Sequence, residues 1–177
     1  MSLIGKYQRY FPLEERITKM NRIAVFATMA LLVVFAFSPS APASDVQSGT
    51  WKMNPVKSKY NPGPAPKSLT VRIESDENGF KFDSEGVDAN GHSFHAHFEA
   101  KFDGKDYPAP GLPNGADTVS VKRLNDHTIQ SSQKKGSEVL VTVTVVVSKD
   151  GKTRTSTYEG KDAQGHTVHQ VVVYDRE

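Results

Sequence analysis

The chain has no cysteine among its 177 residues. In an exported protein this excludes a disulfide framework, and it also excludes the lipidated cysteine of a bacterial lipoprotein. Tryptophan occurs once, at position 51. No segment after residue 43 keeps a 3.6-residue apolar period, so no amphipathic helix is expected there. A Gly-x-Ser-x-Gly elbow, a His-Glu-x-x-His pair, a phosphate-binding glycine loop and a cysteine nucleophile are all missing. Serine, histidine and aspartate are abundant, yet they fall in turns and on polar strand faces, where solvation accounts for them. The expectation is a protein without catalysis and without a cofactor.

Residues 20–43 carry the three parts of a secretory signal peptide. Asn21-Arg22 is the positive start, residues 23–37 form an apolar run of 15, and Ala41-Pro42-Ala43 puts small residues where a signal peptidase reads them. The run is short of the roughly 20 residues that cross a bilayer as a helix, so cleavage after Ala43 is expected rather than a retained anchor. Residues 1–19 contain Pro12, Glu14 and Glu15, unlike a leader, which points to Met20 as the true start. The expected localisation is a bacterial periplasm or the extracellular space.

Cleavage would leave residues 44–177 as a single domain, large enough to bury a core without a staple. Residues 1–43 hold 5 of the 22 Lys/Arg and 2 of the 20 Asp/Glu, leaving 17 against 18, so the domain is close to neutral. Nothing in that balance favours nucleic acid or an anionic membrane as a partner, and no membrane insertion is expected after cleavage.

From Gly49 onward, short runs of alternating apolar and polar residues are separated by turn formers, which is the pattern of antiparallel strands. Nine strands are predicted, over 50–54, 68–75, 80–84, 92–102, 118–124, 128–134, 138–148, 153–159 and 167–175. Asn78-Gly79, Asn90-Gly91, Asp103-Gly104, Asn125-Asp126, Lys135-Gly136, Asp150-Gly151 and Gln164-Gly165 mark turns between them. Phe94, Ala96, Phe98, Ala100 and Phe102 share one strand face, and Val139, Val141, Val143, Val145 and Val147 form a second apolar row opposed by Leu140. Such faces must be covered, so the fold class is all-β, an antiparallel up-and-down β-barrel, with a β-sandwich as the alternative. Residues 55–66 and 107–117 are rich in proline and read as long loops rimming any binding site. The pattern Glu85-Gly86-x-Asp88-Ala89-x-Gly91-His92 returns as Glu159-Gly160-x-Asp162-Ala163-x-Gly165-His166, either one turn solution used twice or a duplicated meander.

Gly49-Thr50-Trp51 at the start of the first strand resembles the Gly-x-Trp signature of lipocalins and related calycin barrels. That resemblance implies a lipocalin-like barrel in which Trp51 closes one end and packs against a basic residue of the final strand, the place of Arg176. A large aromatic plugging a barrel end under a guanidinium is also sound physically. The opening Trp51-Lys52-Met53-Asn54-Pro55 is similar to that of bacterial periplasmic lipocalin-like proteins that bind polyisoprenoids. Residues 49–174 as a whole resemble a group of uncharacterised secreted bacterial proteins with Trp-Lys-x-Asn-Pro, Asp-Gly-Lys-x-Tyr-Pro and Val-Ser-Lys-Asp-Gly-Lys-Thr motifs.

The function read from these features is binding of a small hydrophobic or amphipathic ligand. Candidate ligand-binding residues are Phe82, Phe94, Phe98, Val121, Val143 and Val172 inside the barrel, with Tyr107 at its rim. The same side chains would also serve a dry core, and a structural or interaction module of the cell envelope is then the alternative. His95 and His97 sit on one strand face with metal-ligand spacing, and His169 is a possible third ligand, which makes a metal-binding protein the remote alternative. Export predicts a mature protein beginning at Ser44. Intact-mass measurement of the exported protein checks this; a mass that retains residues 20–43 would mean an anchor instead.

Overall fold

Turn residues stop every apolar run before it exceeds ten residues, and alternation gives each run one face to bury. In the computed structural model, which describes residues 45–162 and 165–177, ten strands result. They are β1 (Gly49–Met53), β2 (Ser68–Ser75), β3 (Gly79–Val87), β4 (Ser93–Lys101), β5 (Asp103–Pro108), β6 (Thr118–Asn125), β7 (Thr128–Lys135), β8 (Glu138–Val147), β9 (Thr153–Lys161) and β10 (Thr167–Arg176). Among the described residues there is no helix. The signal peptide and its cleavage point at Ala43 lie outside the described residues, as does Gln164 of the last turn.

Every paired strand is antiparallel, and the order β4-β3-β2-β1-β10-β9-β8-β7-β6-β5 joins the first strand to the last. The meander therefore closes on itself, leaving one seam without a hydrogen-bonded ladder, between β4 and β5. The architecture is the up-and-down barrel and not the sandwich.

Ten strands form where nine were expected. Residues 103–108 lack an apolar alternation, and Asp103-Gly104 reads as a turn; instead Gly104, at φ +74°, sits in a bulge that shifts the register of β5 on β6. Tyr107 thus belongs to a strand, and Pro108 ends it without loss because β5 is an edge. The proline loop begins only at Ala109, whose N–H bonds Asp117 O at 2.9 Å. This loop crosses the seam: a Cβ on Gly111 would lie 2.6 Å from His95 O of β4.

The valine row also needs correction. Val141, Val143, Val145 and Val147 are buried, but Val139 is 50% exposed and Leu140 only 5%. Gln133 pairs with Val141 and Lys134 with Val139, so Leu140 is the extra residue of a bulge and the alternation slips there by one.

One barrel end is sealed by Trp51, which is fully buried, with the Arg176 guanidinium carbon 4.1 Å from its ring centroid. The indole N–H donates to Gln47 O at 3.1 Å. Arg176 donates to Gly151 O (2.5 Å), Ser48 O (2.5 Å) and Val46 O (2.8 Å), so one side chain ties the N-terminal segment to the β8–β9 turn. A side chain at Gly49 would collide with Arg176 Nη1, which explains the glycine two residues before the tryptophan. Beside this plug, Arg123 is ion-paired with Asp45 and stacks on Phe102 at 4.3 Å.

Trp51→Ala is expected to cost about 3 to 5 kcal/mol, as for other large buried aromatics replaced by alanine. Urea denaturation checks it, and an unchanged midpoint would deny the ring its role as the plug. The Asp45 pair has a pH signature. Burial alone would raise the Asp45 carboxyl, but hydrogen bonds from Arg123, Gln47 N and Ser75 Oγ hold it below its ordinary value. A depressed pKa contributes stability that is present above the unfolded value and lost as pH falls through the folded one. Asp45→Asn should therefore lower stability by about 1 to 3 kcal/mol at neutral pH. The gap between variant and parent should close as pH falls below the ordinary value of 3.8. A gap independent of pH would show that the carboxylate charge is irrelevant.

Candidate ligand-binding cavity

In an up-and-down meander alternate links lie at the same end, so β1–β2, β3–β4, β5–β6, β7–β8 and β9–β10 all turn at the end opposite the Trp51 plug. The interior holds a cavity of about 480 Å³ that runs to that end. Its loop residues, including Pro62, Pro64, Asp88, His92 and Pro113, come from those links.

One wall is aromatic. Phe82 and Phe98 stack at 4.7 Å between centroids, and Phe80 meets Phe98 edge-on at 5.6 Å. The ladder places Phe82 directly opposite Phe98, so their side chains share the inner face. Val143, Val145 and Val172 continue the apolar lining on β8 and β10.

The facing wall is polar, and apolar periodicity gives no hint of it. The Asp150-Gly151 turn pairs Arg154 with Val147, a member of the buried valine row, so Arg154, Ser156 and Tyr158 of β9 point inward. Gln170 and Tyr174 of β10 join them. A signal for this wall does exist in the sequence: a tight turn fixes cross-strand partners, and a partner of an inward valine must itself point inward.

Arg154 is 4% exposed, and among the described residues none forms an ion pair or hydrogen bond with its guanidinium; its Nε is buried without a partner. The Tyr174 ring lies 5.6 Å from it. Burial pulls the guanidinium below its ordinary pKa, opposed by Tyr174 and Tyr158, but an arginine stays charged at physiological pH. Burial also pushes the Tyr60 and Tyr174 hydroxyls up, so neither supplies a counter-anion. Ser156 Oγ is likewise buried without a partner.

Of the residues expected to contact ligand, Phe82, Phe94, Phe98, Val143 and Val172 line the cavity. Val121 is fully buried in the core but is not on the lining. Tyr107 is not on it either; its hydroxyl donates to Asp103 at 3.0 Å on the edge strand. His95 and His97 project outward, with ring nitrogens 2.9 and 3.7 Å from Asp83. His169, on β10, stands 3.6 Å from Glu159, with β1, β2 and β3 between it and the other two. Among the described residues no three His, Cys, Asp or Glu converge for a metal.

The described residues of the two copies of the repeated motif make matching hydrogen bonds at the cavity end. His92 N–H bonds Asp88 Oδ1 at 2.8 Å and His166 N–H bonds Asp162 Oδ1 at 2.9 Å; each imidazole Nδ1 then meets the second oxygen, at 3.3 and 2.9 Å.

No protein-family model matches the chain, and no curated protein matches it. Among solved structures it is similar to lobster apocrustacyanin A1, at 14% identity with a TM-score of 0.39, over 78% of this chain and 64% of that chain. The likeness thus spans less than two thirds of the crustacean protein.

Proposed function

We propose that the barrel is an exported binding protein that holds a small hydrophobic or amphipathic molecule without transforming it. The observation that carries this reading is the cavity of about 480 Å³, within the ~300 to 1,000 Å³ of small-molecule sites and lined by an aromatic wall with a few convergent polar groups. A dry core of this fold would be filled by its own side chains. Here Phe82, Phe98 and Val143 instead border open volume. Ligand burial would contribute roughly 25 cal/mol per Å² of apolar area before ordering costs. The signal peptide read at residues 20–43 supports export.

A thermal-shift series with fatty acids, isoprenoids and quinones tests the proposal, with organic extraction of protein purified from an exporting host. At least one class should raise the melting temperature, and Phe98→Trp should weaken that ligand about tenfold or more by filling the cavity. His95→Ala and His97→Ala, on the outer face, should leave binding unchanged. No stabilisation by any class, together with lipid-free protein, would overturn it in favour of a structural module. Loss of stability on chelation, abolished by His95→Ala, would favour metal binding.

A further inference from the structure

Resting on the binding reading above, we infer that the ligand is an anionic amphiphile whose single carboxylate is held by Arg154 on the floor of the cavity, with its apolar part along the Phe80, Phe82 and Phe98 wall.

The position of Arg154 gives the orientation. It pairs with Tyr174, which pairs with Met53, and the next inward pair toward the sealed end is Trp51 with Arg176. The guanidinium therefore sits one rung above the plug, at the far end from the loops. Ser156 is one inward step toward the mouth and Tyr158 one step further, both on the lining. A molecule entering from the loop end meets the aromatic wall and reaches the charge last, so it must enter head first.

The charge count gives the head group. Arg154 is the one charged side chain of the deep lining; the two carboxylates on it, Asp88 and Asp162, belong to the turns at the mouth and already engage His92 and His166. A lone guanidinium neutralises a monoanion and offers the planar fork that matches a carboxylate with two parallel hydrogen bonds. A dianionic phosphate monoester would leave a charge uncompensated in the same place. A cationic head would meet buried like charge. Ser156 Oγ, buried and unpartnered, supplies a further donor one step toward the mouth, and Tyr174 a neutral hydroxyl beside Arg154.

The stability of the empty protein points the same way. An unpaired buried charge is costly, and packing does not require it, because Arg154 is flanked across the ladder by Val147. The group makes sense where a counter-anion arrives from solution.

Titration of the full folded barrel with dodecanoate, dodecyl phosphate, dodecanol and dodecyltrimethylammonium, all below their micellar concentrations, separates the possibilities. For the parent, dodecanoate should bind at least tenfold tighter than dodecanol, dodecyl phosphate should be weaker than dodecanoate, and the cationic amphiphile should be weakest. In Arg154→Met the advantage of dodecanoate over dodecanol should vanish while dodecanol binding persists, and the ligand-free variant should melt at or above the parent temperature. Equal affinity of the parent for dodecanoate and dodecanol, or a preference that survives Arg154→Met, would overturn the role of Arg154 while leaving the cavity reading intact. A preference for dodecyl phosphate would overturn the carboxylate assignment. If none of the four binds parent or variant, the binding reading itself fails, and a lowered melting temperature in Arg154→Met would then mark Arg154 as structural.

Discussion

The ladder between β1 and β10 is the contact on which the rest of the barrel depends. It covers only Trp51 to Met53 against Tyr174 to Arg176, yet it joins strands from opposite ends of the domain and turns a ten-strand meander into a closed wall. Three backbone pairs are a short ladder for such a task. The Arg176–Trp51 stack and the three carbonyls that Arg176 binds lock the same junction from the side-chain direction. Sealing and closure are thus one event: the residue that finishes the sheet also caps the interior.

Closure at β1–β10 moves the unavoidable break elsewhere, to the seam between β4 and β5. An open seam would expose unpaired backbone on both edges. Two devices cover it. The bulge at Gly104 reshapes β5 next to the seam, and the 109–117 loop lies over β4 so closely that Gly111 has no room for a side chain. Leu112 on that loop is buried and lines the cavity, so the cover is part of the wall. The interior can then be wide at the loop end while the fully buried Trp51 fills the sealed end.

Alternation and turn chemistry make most of the fold legible in the sequence. The nine predicted strands match β1 to β4 and β6 to β10 within a few residues, because one buried face fixes both period and register. The misses have local causes. β5 is polar on both sides of its pleat and opens on a turn-like Asp-Gly, so it carries no periodic signal. Leu140 stands in a bulge, and a single extra residue inverts the expected face without altering the sequence pattern. The cavity is half legible. Its aromatic side follows from the Phe94 to Phe102 row, but apolar alternation says nothing of polar residues that point inward.

That polar side resists explanation by stability. The inward residues of β9 are Arg154, Ser156 and Tyr158, and their partners on β8 are Val147, Val145 and Val143. Apolar side chains at all three β9 positions would match those partners and remove two buried unpaired groups, Arg154 Nε and Ser156 Oγ. Arg123 shows how this barrel treats a structural arginine: it is placed beside Asp45, Ser75 and Phe102, with each contact bracing the sealed end. Arg154 has a tyrosine ring near it and open volume in front of it, and no carboxylate. Two inward-facing arginines on one scaffold, one paired with a carboxylate and one not, separate bracing from recognition.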